Sequence, residues 1–259
     1  GIDSSLITAI AQQQTGAIKT FSIGFKEAKY NETEYARAVA DHLKTEHHEH
    51  ILSYTDALSL FDEIISTYDE PFADSSAIPT MLVSKLASQK VKMVLSGDGG
   101  DELFFGYGAY RWAKRMDKPI IKFLRKPIAN VLSKMTDRER RAALLFKYPN
   151  KDRIKSHIFS QEQYFFSENE IATLVHPTYL QESYLDEDYS SFSRKLQADE
   201  KQALFDIKHY LKDDLLVKVD RASMKYGLEV RLPFLDYRIV EFALNLSPNL
   251  KSQKGIDKY

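Results

Sequence analysis

The first hundred residues alternate between the apolar spacing of amphipathic helices and that of short strands. Apolar side chains three or four positions apart indicate helices, and runs of β-branched or aromatic residues indicate strands. The predicted helices cover residues 4–14, 31–43, 56–68, 79–89 and a segment from about 101, and the predicted strands cover 18–25, 47–52 and 91–95. Strands separated by helices of this length predict a parallel sheet with crossover helices.

Local signals refine three of these helices. Asn31 is predicted to cap the second helix, with Glu34 completing a capping box. Pro79 suits the first position of the fourth helix. The buried face of the third helix is predicted to carry Ala57, Leu60, Phe61, Ile64, Ile65 and Tyr68.

From about residue 116 the pattern becomes mainly helical. Residues 199–217 predict one long amphipathic helix, and Asp236 is predicted to cap another helix that ends near residue 247. The pattern therefore divides the chain into an alternating region, 1–115, a helical region, 116–198, and a second helical region, 199–259.

Composition excludes several classes of function. Apolar residues make up 43% and charged residues 28% of the 259 residues, which is ordinary for a globular protein. The formal net charge of -1 excludes binding to nucleic acid or to an anionic membrane through bulk charge. The absence of cysteine excludes disulfides, thiolate metal sites and a cysteine nucleophile within this sequence. With no apolar run near the ~20 residues of a membrane span, we expect a cytoplasmic protein.

Two short segments carry the candidate chemistry. Residues 1–5, Gly-Ile-Asp-Ser-Ser, open directly into a helix, where hydroxyls and backbone amides can donate to an anion. On these five residues alone, a plain helix cap is the better explanation. Residues 96–102, Ser-Gly-Asp-Gly-Gly-Asp-Glu, place three glycines and three acids directly after an apolar strand. Because neighbouring acids repel one another, this turn indicates a bound cation or polyphosphate–metal complex at a strand end.

Other polar clusters have structural explanations. Alternation along a strand directs the side chains of residues 47–50, His-His-Glu-His, to opposite faces, so we expect them to belong to the fold and not to a metal site. Four basic residues late in the chain, Lys218, Arg221, Lys225 and Arg231, have two explanations that the sequence leaves open. They can face a phosphate, or they can pair with Asp213, Asp220 and Glu229.

Residues 96–107, which continue as Leu-Phe-Phe-Gly-Tyr, resemble the second signature of the asparagine synthetase family. In that family a serine-glycine-acid-glycine run leads to Asp-Glu and an aromatic-glycine-tyrosine ending. Residues 1–5 resemble the end of the family's pyrophosphate loop, Ser-Gly-Gly-x-Asp-Ser, without its first Ser-Gly. Further segments similar to the family follow in the same order, at residues 21–25, 70–79, 220–224 and 228–236.

The resemblance implies an α/β fold with a Rossmann-like parallel sheet of the PP-loop ATP pyrophosphatase type and a mostly helical C-terminal part. Region 1–115 would then bind the nucleotide. Region 199–259 would complete the synthetase domain. Since the chain opens without methionine and closes at Lys258-Tyr259 within a continuing pattern, both ends are expected to be cuts in a longer protein.

The resemblance also implies roles for individual residues. Asp98 takes the position of the family's catalytic acid, often glutamate, and Tyr107 that of its partner tyrosine. Magnesium would bind Asp3 and Asp101. The residues implied to hold ATP are Gly1, Asp3, Ser4 and Ser5 at the departing pyrophosphate and Ile23, Ser96 and Gly97 at the adenosine part.

The implied reaction is adenylation followed by amide formation. A substrate carboxylate, expected to be aspartate, attacks the α-phosphorus of ATP, and pyrophosphate departs. Ammonia then attacks the acyl-adenylate, which gives an amide and AMP. The implied partners are the carboxylate substrate, a glutaminase domain of the parent chain as ammonia source, and a second copy of the chain in a homodimer.

The sequence departs from the family pattern at several points. Phe105 replaces one glycine of the common Phe-Gly-Gly-Tyr and is expected to narrow or reshape the pocket. Asp98 is one methylene shorter than glutamate. The family's later lysine, near the α-phosphate, would lie beyond Tyr259, and the glutaminase domain is absent. We therefore expect this sequence alone not to hydrolyse glutamine and to synthesise amide poorly or not at all.

Two alternatives compete with an asparagine-forming enzyme. A related PP-loop amidotransferase or a β-lactam-forming synthetase would act on a different carboxylate, with the acceptor decided by Phe105 and residues 74–76. A nucleotide-binding module without catalysis is the other alternative. Retention of all three acids Asp3, Asp98 and Asp101 argues against this last possibility.

Overall fold

The computed structural model describes residues 1–27, 29, 31–148, 153–163, 165–166, 168–180, 189, 192–253 and 256–258. The chain divides into two compact units that interleave along the sequence. Unit 1 comprises Gly1–Gly100 and Lys212–Glu241, and unit 2 comprises Asp101–Leu211 and Phe242–Tyr259. This division differs from the three consecutive regions proposed from the sequence pattern.

The described elements follow one another as helices and short strands. The first are α1 (Ile2–Thr15), β1 (Lys19–Phe25), α2 (Thr33–Leu43), β2 (Glu46–Leu52), α3 (Tyr54–Tyr68), α4 (Ala77–Ser88) and β3 (Met93–Leu95). Helices follow as α5 (Gly100–Phe104), α6 (Gly108–Met116), α7 (Pro119–Leu132), α8 (Asp137–Leu145), α9 (Ile154–Glu162), α10 (Glu168–Leu174) and α11 (Ala198–Asp206). The last are α12 (Leu216–Met224), β4 (Glu229–Arg231), α13 (Tyr237–Asn245), α14 (Pro248–Lys251), β5 (Ser252–Gln253) and β6 (Ile256–Asp257).

Unit 1 contains two parallel strand pairs. β1 pairs with β2 in the register Lys19↔Glu46 to Phe25↔Leu52. β3 pairs with β4, which lies near the other end of the sequence, and this pairing brings the late segment into unit 1. The α/β class and the parallel pairing are confirmed. The single Rossmann-like sheet of the PP-loop type stays a prediction, because the described strands form separate pairs.

Helices α3, α4 and α12 pack together in unit 1 around one apolar core. Leu60, Met81 and Ala222 are almost fully buried in this core. The predicted buried face of α3 is only partly right. Leu60 and Tyr68 are buried, but Phe61 and Ile65 are 58% and 66% exposed.

Two predictions about the first residues of helices in unit 1 are wrong. Glu32, not Asn31, is the N-cap residue of α2, and its side chain makes no capping bond; the Asn31 side chain instead accepts from the Thr33 amide at 3.3 Å. Pro79 is the third residue of α4 and not the first. A capping box does form at α3, where Ser53 and Asp56 bond reciprocally.

Unit 2 is mainly helical, as the sequence predicts. α6 packs against α9 and α11, and α7 packs against α8, around a core that includes Ala113, Met116 and Ile158. β5 and β6 form a short antiparallel pair. Among the described residues, none of the helices combines the length and apolarity that a membrane span requires.

The helix predicted over 199–217 is not one uniform α-helix. α11 ends at Asp206, a π-helical segment covers Ile207–Leu215, and α12 begins at Leu216. π-Helical hydrogen bonds reach one residue further than those of an α-helix, and such segments are frequent at functional sites. Apolar periodicity does not resolve the two geometries, so the prediction missed this change.

Candidate functional site

The start of α1 lies directly against the glycine-rich turn that follows β3. A Cβ atom added to Gly97 would lie 2.9 Å from both the backbone nitrogen and the hydroxyl oxygen of Ser4. A Cβ at Gly100 would lie 2.7 Å from the carboxyl carbon of Asp3. A side chain at Gly97 would meet the backbone of α1, whereas one at Gly100 would displace the Asp3 side chain. Glycine therefore allows the turn to approach the opening helix, and the two predicted motifs meet within unit 1.

The same turn holds Asp98 beside Ser96. The Ser96 hydroxyl donates to Asp98 Oδ2 at 2.6 Å, and both side chains are half-buried. Gly99 adopts a left-handed backbone with φ of 88°, where a Cβ would overlap Leu235. Only glycine fits this position without strain. The backbone of the turn is therefore fixed around the predicted catalytic acid.

The donor set at the start of α1 fits a magnesium-bound phosphate. Asp3 supplies a carboxylate, Ser4 and Ser5 supply hydroxyls, and no side chain caps the helix at Gly1 among the described residues. Helix N-termini attract anions through their amide groups. No cluster of three or more potential ligand side chains occurs in the described part of the chain. Magnesium does not need one, since one or two carboxylates and the substrate phosphates commonly hold it.

Ile23, the predicted adenosine contact in β1, lines a cleft of about 350 Å³ in unit 1. The residues that line the cleft include apolar side chains such as Phe21 and Val83 and polar side chains such as His48 and His50. Its volume lies at the lower end of the range for small-molecule sites. Ile23 is thus placed on an accessible surface.

Asp101, the first residue of unit 2, already contacts a cation. Lys258 Nζ lies 2.7 Å from Asp101 Oδ1, and the two side chains are 16% and 38% exposed. The pair lies directly over Gly106, where a Cβ would overlap Asp101 Oδ1. The Gly106 amide also donates to the Asp101 carbonyl oxygen at 2.8 Å. Gly106 therefore makes room for this ion pair.

Tyr107 bonds to the acid next to Asp101. Its hydroxyl donates to Glu102 Oε1 at 2.8 Å, and Glu102 is 1% exposed. Burial raises the pKa of the Tyr107 hydroxyl, and the charges of Glu102 and Asp101 add to this effect. The hydroxyl is therefore a hydrogen-bond donor at neutral pH. A catalytic role for Tyr107 stays a prediction.

Phe105 lies in the core of unit 2. Its ring is 2% exposed and packs against Ala203 and the Tyr110 ring, with ring centroids 5.1 Å apart. Lys251 Nζ lies 4.7 Å from the centre of the Phe105 ring. Phe105 also has a left-handed backbone with φ of 61°, which favours glycine. The ring therefore fills the core from a position whose backbone geometry favours glycine.

A second buried acid lies in unit 2, at the end of α11. Asp206 is 2% exposed and accepts from Gln202 Nε2 at 3.2 Å. Burial raises the pKa of the Asp206 carboxyl to about 7, and the charges of Glu102 and Glu162 add to the rise while the bond from Gln202 opposes it. This carboxyl carries a proton for part of the time at neutral pH.

The loop that carries residues 74–76, which are expected to decide the acceptor, is held in unit 1 by a buried ion pair. Lys218 Nζ on α12 lies 2.6 Å from both Asp74 Oδ2 and the Ser76 hydroxyl. Tyr68 donates to the Lys218 carbonyl oxygen at 3.1 Å. Burial raises the pKa of the Asp74 carboxyl, but the bonds from Lys218 and Ser76 outweigh burial and lower it overall. Asp74 is therefore ionised at neutral pH.

Three of the four late basic residues form ion pairs with acids. Arg231 pairs with Glu229, as one explanation held, at 2.7 Å. Lys218 pairs with Asp74 instead of a neighbour in sequence, and Arg221 pairs with Asp69. Both of these acids lie in the first third of the sequence, so local spacing could not identify them.

The three histidines of β2 each contact their own hydrogen-bond partners. His47 contacts the hydroxyls of Thr20 and Ser22 at 2.9 and 3.1 Å. Burial lowers the pKa of the His47 imidazole. His48 lies 3.0 Å from Glu46, and His50 lies 3.2 Å from Asp56. Each imidazole therefore has its own partner, and the residues do not share one centre.

Sequence reasoning missed two features of the site. The contact between Lys258 and Asp101 links distant positions of the sequence, and no spacing rule connects them. Asp206 looked like one acid on an amphipathic helix. The turn of residues 96–101, by contrast, was identified from its glycines and acids alone, whereas residues 1–5 were assigned to the site only through the family resemblance.

Comparison with known proteins agrees with the ordered motifs. The family model described as Asparagine synthase matches residues 1–259. Asparagine synthetase [glutamine-hydrolyzing] 1 of Bacillus subtilis is 32% identical over 271 residues, which cover 100% of this chain and 41% of the relative. Putative asparagine synthetase [glutamine-hydrolyzing] 2 of Methanocaldococcus jannaschii is 36% identical over 228 residues, which cover 86% of this chain and 44% of the relative.

The chain thus spans about two fifths of the length of these relatives. The match is continuous from the opening helix to the last strand pair. It includes both the glycine-rich turn and the late segment that pairs with β3. The chain belongs to the asparagine synthase family.

Proposed function

We propose that this chain carries out the ATP-dependent synthetase half-reactions of its family. A carboxylate, expected to be aspartate, is adenylated, and ammonia then converts the adenylate to an amide. The observation that carries this proposal is the contact of Asp3 and Ser4 with Gly97 and Gly100 at the end of β3. That contact unites a helix N-terminus, a carboxylate and a glycine turn, the groups that a bound triphosphate requires.

In the first step, an oxygen of the substrate carboxylate bonds to the α-phosphorus of ATP. The bond from the α-phosphorus to the bridging oxygen breaks, and pyrophosphate leaves. Gly1, Asp3, Ser4 and Ser5 are proposed to bind the departing phosphates, with Ile23, Ser96 and Gly97 at the adenosine part. Magnesium, when bound through Asp3 and Asp101, supplies neutralisation of the charge on the pyrophosphate.

In the second step, ammonia attacks the acyl carbon and AMP leaves. Asp98 is proposed to take the proton that the attacking nitrogen loses. The bond from Ser96 supports this assignment, because a carboxylate that accepts a hydroxyl hydrogen at 2.6 Å is oriented and retains further acceptor positions. Tyr107 is proposed to help position the reacting groups from unit 2.

The ammonia source is proposed to be glutamine, hydrolysed by another part of a longer protein. The names of the relatives include glutamine hydrolysis, and this chain spans about two fifths of their length. The chain contains no cysteine that could act as a glutaminase nucleophile. Supplying ammonium chloride directly therefore separates synthetase chemistry from ammonia supply.

Pyrophosphate release tests the proposal. The purified protein is incubated with Mg-ATP, ammonium chloride and one carboxylate at a time, and both pyrophosphate and the amide product are measured. Aspartate is expected to support release, and Asp98→Asn is expected to lower the rate of amide formation by about 10²–10⁴-fold. Asp62→Asn, an exposed acid on α3, is the control and should leave the rate unchanged.

The outcomes separate the alternatives. Release with another carboxylate but not with aspartate would indicate a related amidotransferase or a β-lactam-type synthetase. Because this sequence alone is expected to synthesise amide poorly, the negative outcome is judged on the parent protein. If no carboxylate supports release there, while calorimetry still detects Mg-ATP binding, the chain is a nucleotide-binding module. Asp101→Ala should weaken Mg-ATP binding, and equal affinity in the variant would remove the proposed metal role of that residue.

A further inference from the structure

The ion pair between Asp101 and Lys258 places a cation where a divalent metal is proposed to bind. Lys258 Nζ lies 2.7 Å from Asp101 Oδ1, the distance of a charge-assisted hydrogen bond. The Lys258 side chain is 16% exposed, so it is enclosed much more than a typical surface lysine. The carboxylate is therefore neutralised by a group of the chain itself.

The surrounding contacts hold Lys258 in this position. Asp257, the last residue of β6, accepts from the Ser252 hydroxyl at 3.0 Å and lies 3.4 Å from Arg111 Nε on α6. Lys258 follows with a left-handed backbone, φ 54°. The last strand pair is thus fixed to α6, and the next residue extends its side chain to Asp101.

The turn at Gly106 completes the arrangement. A Cβ atom at Gly106 would overlap Asp101 Oδ1, and the second-nearest atom to that Cβ would be Lys258 Cε. The Asp101 carboxylate and the lysine side chain therefore both pass directly over the bare Gly106 backbone. Asp101 and Gly106, which are close in sequence, thus form one contact with a lysine from the far end of the sequence.

We propose that Lys258 is a resident counter-ion of Asp101 that must be displaced before a divalent metal binds there. The proposal rests on the proposed function for the assignment of Asp101 to the metal. An ammonium group and a divalent cation compete for the same carboxylate oxygen, because two cations cannot both contact it without repulsion. The lysine therefore lowers the affinity of Asp101 for free metal and favours metal that arrives bound to the triphosphate.

The direct test is the affinity for Mn²⁺ in the absence of nucleotide, measured from the electron paramagnetic resonance signal of free Mn²⁺. Mn²⁺ stands in for Mg²⁺ because both prefer carboxylate ligands. Lys258→Met should tighten Mn²⁺ binding by about three- to tenfold, since it removes one partly exposed competing charge. Lys258→Arg keeps the charge and should bind Mn²⁺ like the unmodified chain.

Lys122→Met is the matched control. Lys122 also lies 2.6 Å from an aspartate oxygen, that of Asp117, and its replacement changes the net charge of unit 2 by the same amount. It should leave Mn²⁺ affinity unchanged. Asp101→Asn should abolish the site, and adding Lys258→Met to it should then restore no binding.

Three results would overturn the proposal. They are unchanged or weaker Mn²⁺ binding in Lys258→Met, equal tightening in Lys122→Met, and absence of Mn²⁺ binding at Asp101 in every variant. Circular dichroism checks that each variant is folded, and Lys258→Gln provides a second neutral replacement. Pyrophosphate release is measured separately. If Lys258→Met protein releases pyrophosphate but binds Mn²⁺ with unchanged affinity, the displacement of Lys258 by metal is rejected and the proposed function still stands.

Discussion

In unit 1 the Asp74 carboxylate is buried beside the ammonium group of Lys218, whereas in unit 2 the Asp206 carboxyl is buried near a second acid, Glu102. The lysine and the Ser76 hydroxyl lower the pKa of Asp74 overall, against the effect of burial. Burial raises the pKa of Asp206 to about 7, and the charge of Glu102 raises it further. The first carboxylate is therefore stabilised by an opposite charge and the second by a proton.

The difference matters because a lysine and a proton respond to different conditions. The Asp74 carboxylate stays ionised across the neutral range, so its bonds from Lys218 and Ser76 fix the loop that carries it. The proton on Asp206 is lost as the pH rises, and a charge then appears in an apolar interior. Unit 1 should consequently be sensitive to substitution at its buried charges, and unit 2 should be sensitive to pH.

The largest expected effect is that of Lys218→Met. The substitution leaves Asp74 buried without its cation, and removal of one partner of a buried pair costs about 3–5 kcal/mol of the free energy of unfolding. Urea denaturation measures this loss. The double variant Lys218→Met with Asp74→Asn should recover most of it, because no uncompensated charge remains.

Arg221→Met, on the same helix α12, is the matched control. Arg221 pairs with Asp69 at the surface, where the two side chains are 44% and 73% exposed. Exposed ion pairs contribute little to the free energy of unfolding. This variant should therefore unfold at nearly the same urea concentration as the unmodified chain. Equal losses from the two substitutions would show that burial of Lys218 is not the cause.

The next expected effect concerns the Phe105 ring, which is buried in the core of unit 2. Phe105→Ala removes a buried ring and should cost about 3 kcal/mol. Phe105→Gly removes the same ring but relieves the left-handed backbone, which costs about 1–2 kcal/mol for a residue with a side chain. The glycine variant should therefore be the more stable of the two in urea denaturation, the reverse of the usual order. If alanine is the more stable replacement, the backbone at Phe105 is not strained.

Sequence patterns predicted the elements that are governed by local rules. β1, β2 and the helices around them follow from residue type and spacing, and the turn around Asp98 follows from its glycines. Predictions that depended on locally ambiguous signals were wrong. Asn31 and Glu34 have the composition of a capping box, yet α2 begins at Thr33, and the box forms at Ser53 instead.

Contacts between distant residues could not be predicted from the sequence. The pairing of β3 with β4, the pair Lys218–Asp74 and the pair Lys258–Asp101 each join an early segment of the chain to a late one. Such pairings depend on tertiary packing, which local periodicity does not encode. The exposure of Phe61 and Ile65 has the same origin, because helical spacing assigns residues to a face but does not state what covers that face.

The smallest expected effect is the pH dependence that Asp206 confers on stability. The folded carboxyl keeps its proton up to about pH 7, whereas in the unfolded chain it loses the proton near 3.8. The folded chain therefore binds more protons between these values, and its stability falls as the pH rises through 7. Between pH 6 and 8 the unmodified chain should lose about 1 kcal/mol of stability relative to Asp206→Asn. Urea denaturation at pH 6 and 8 measures this change in the free energy of unfolding. The control Asp62→Asn should show the same change as the unmodified chain. If Asp206→Asn also shows it, the buried acid is not neutralised by a proton.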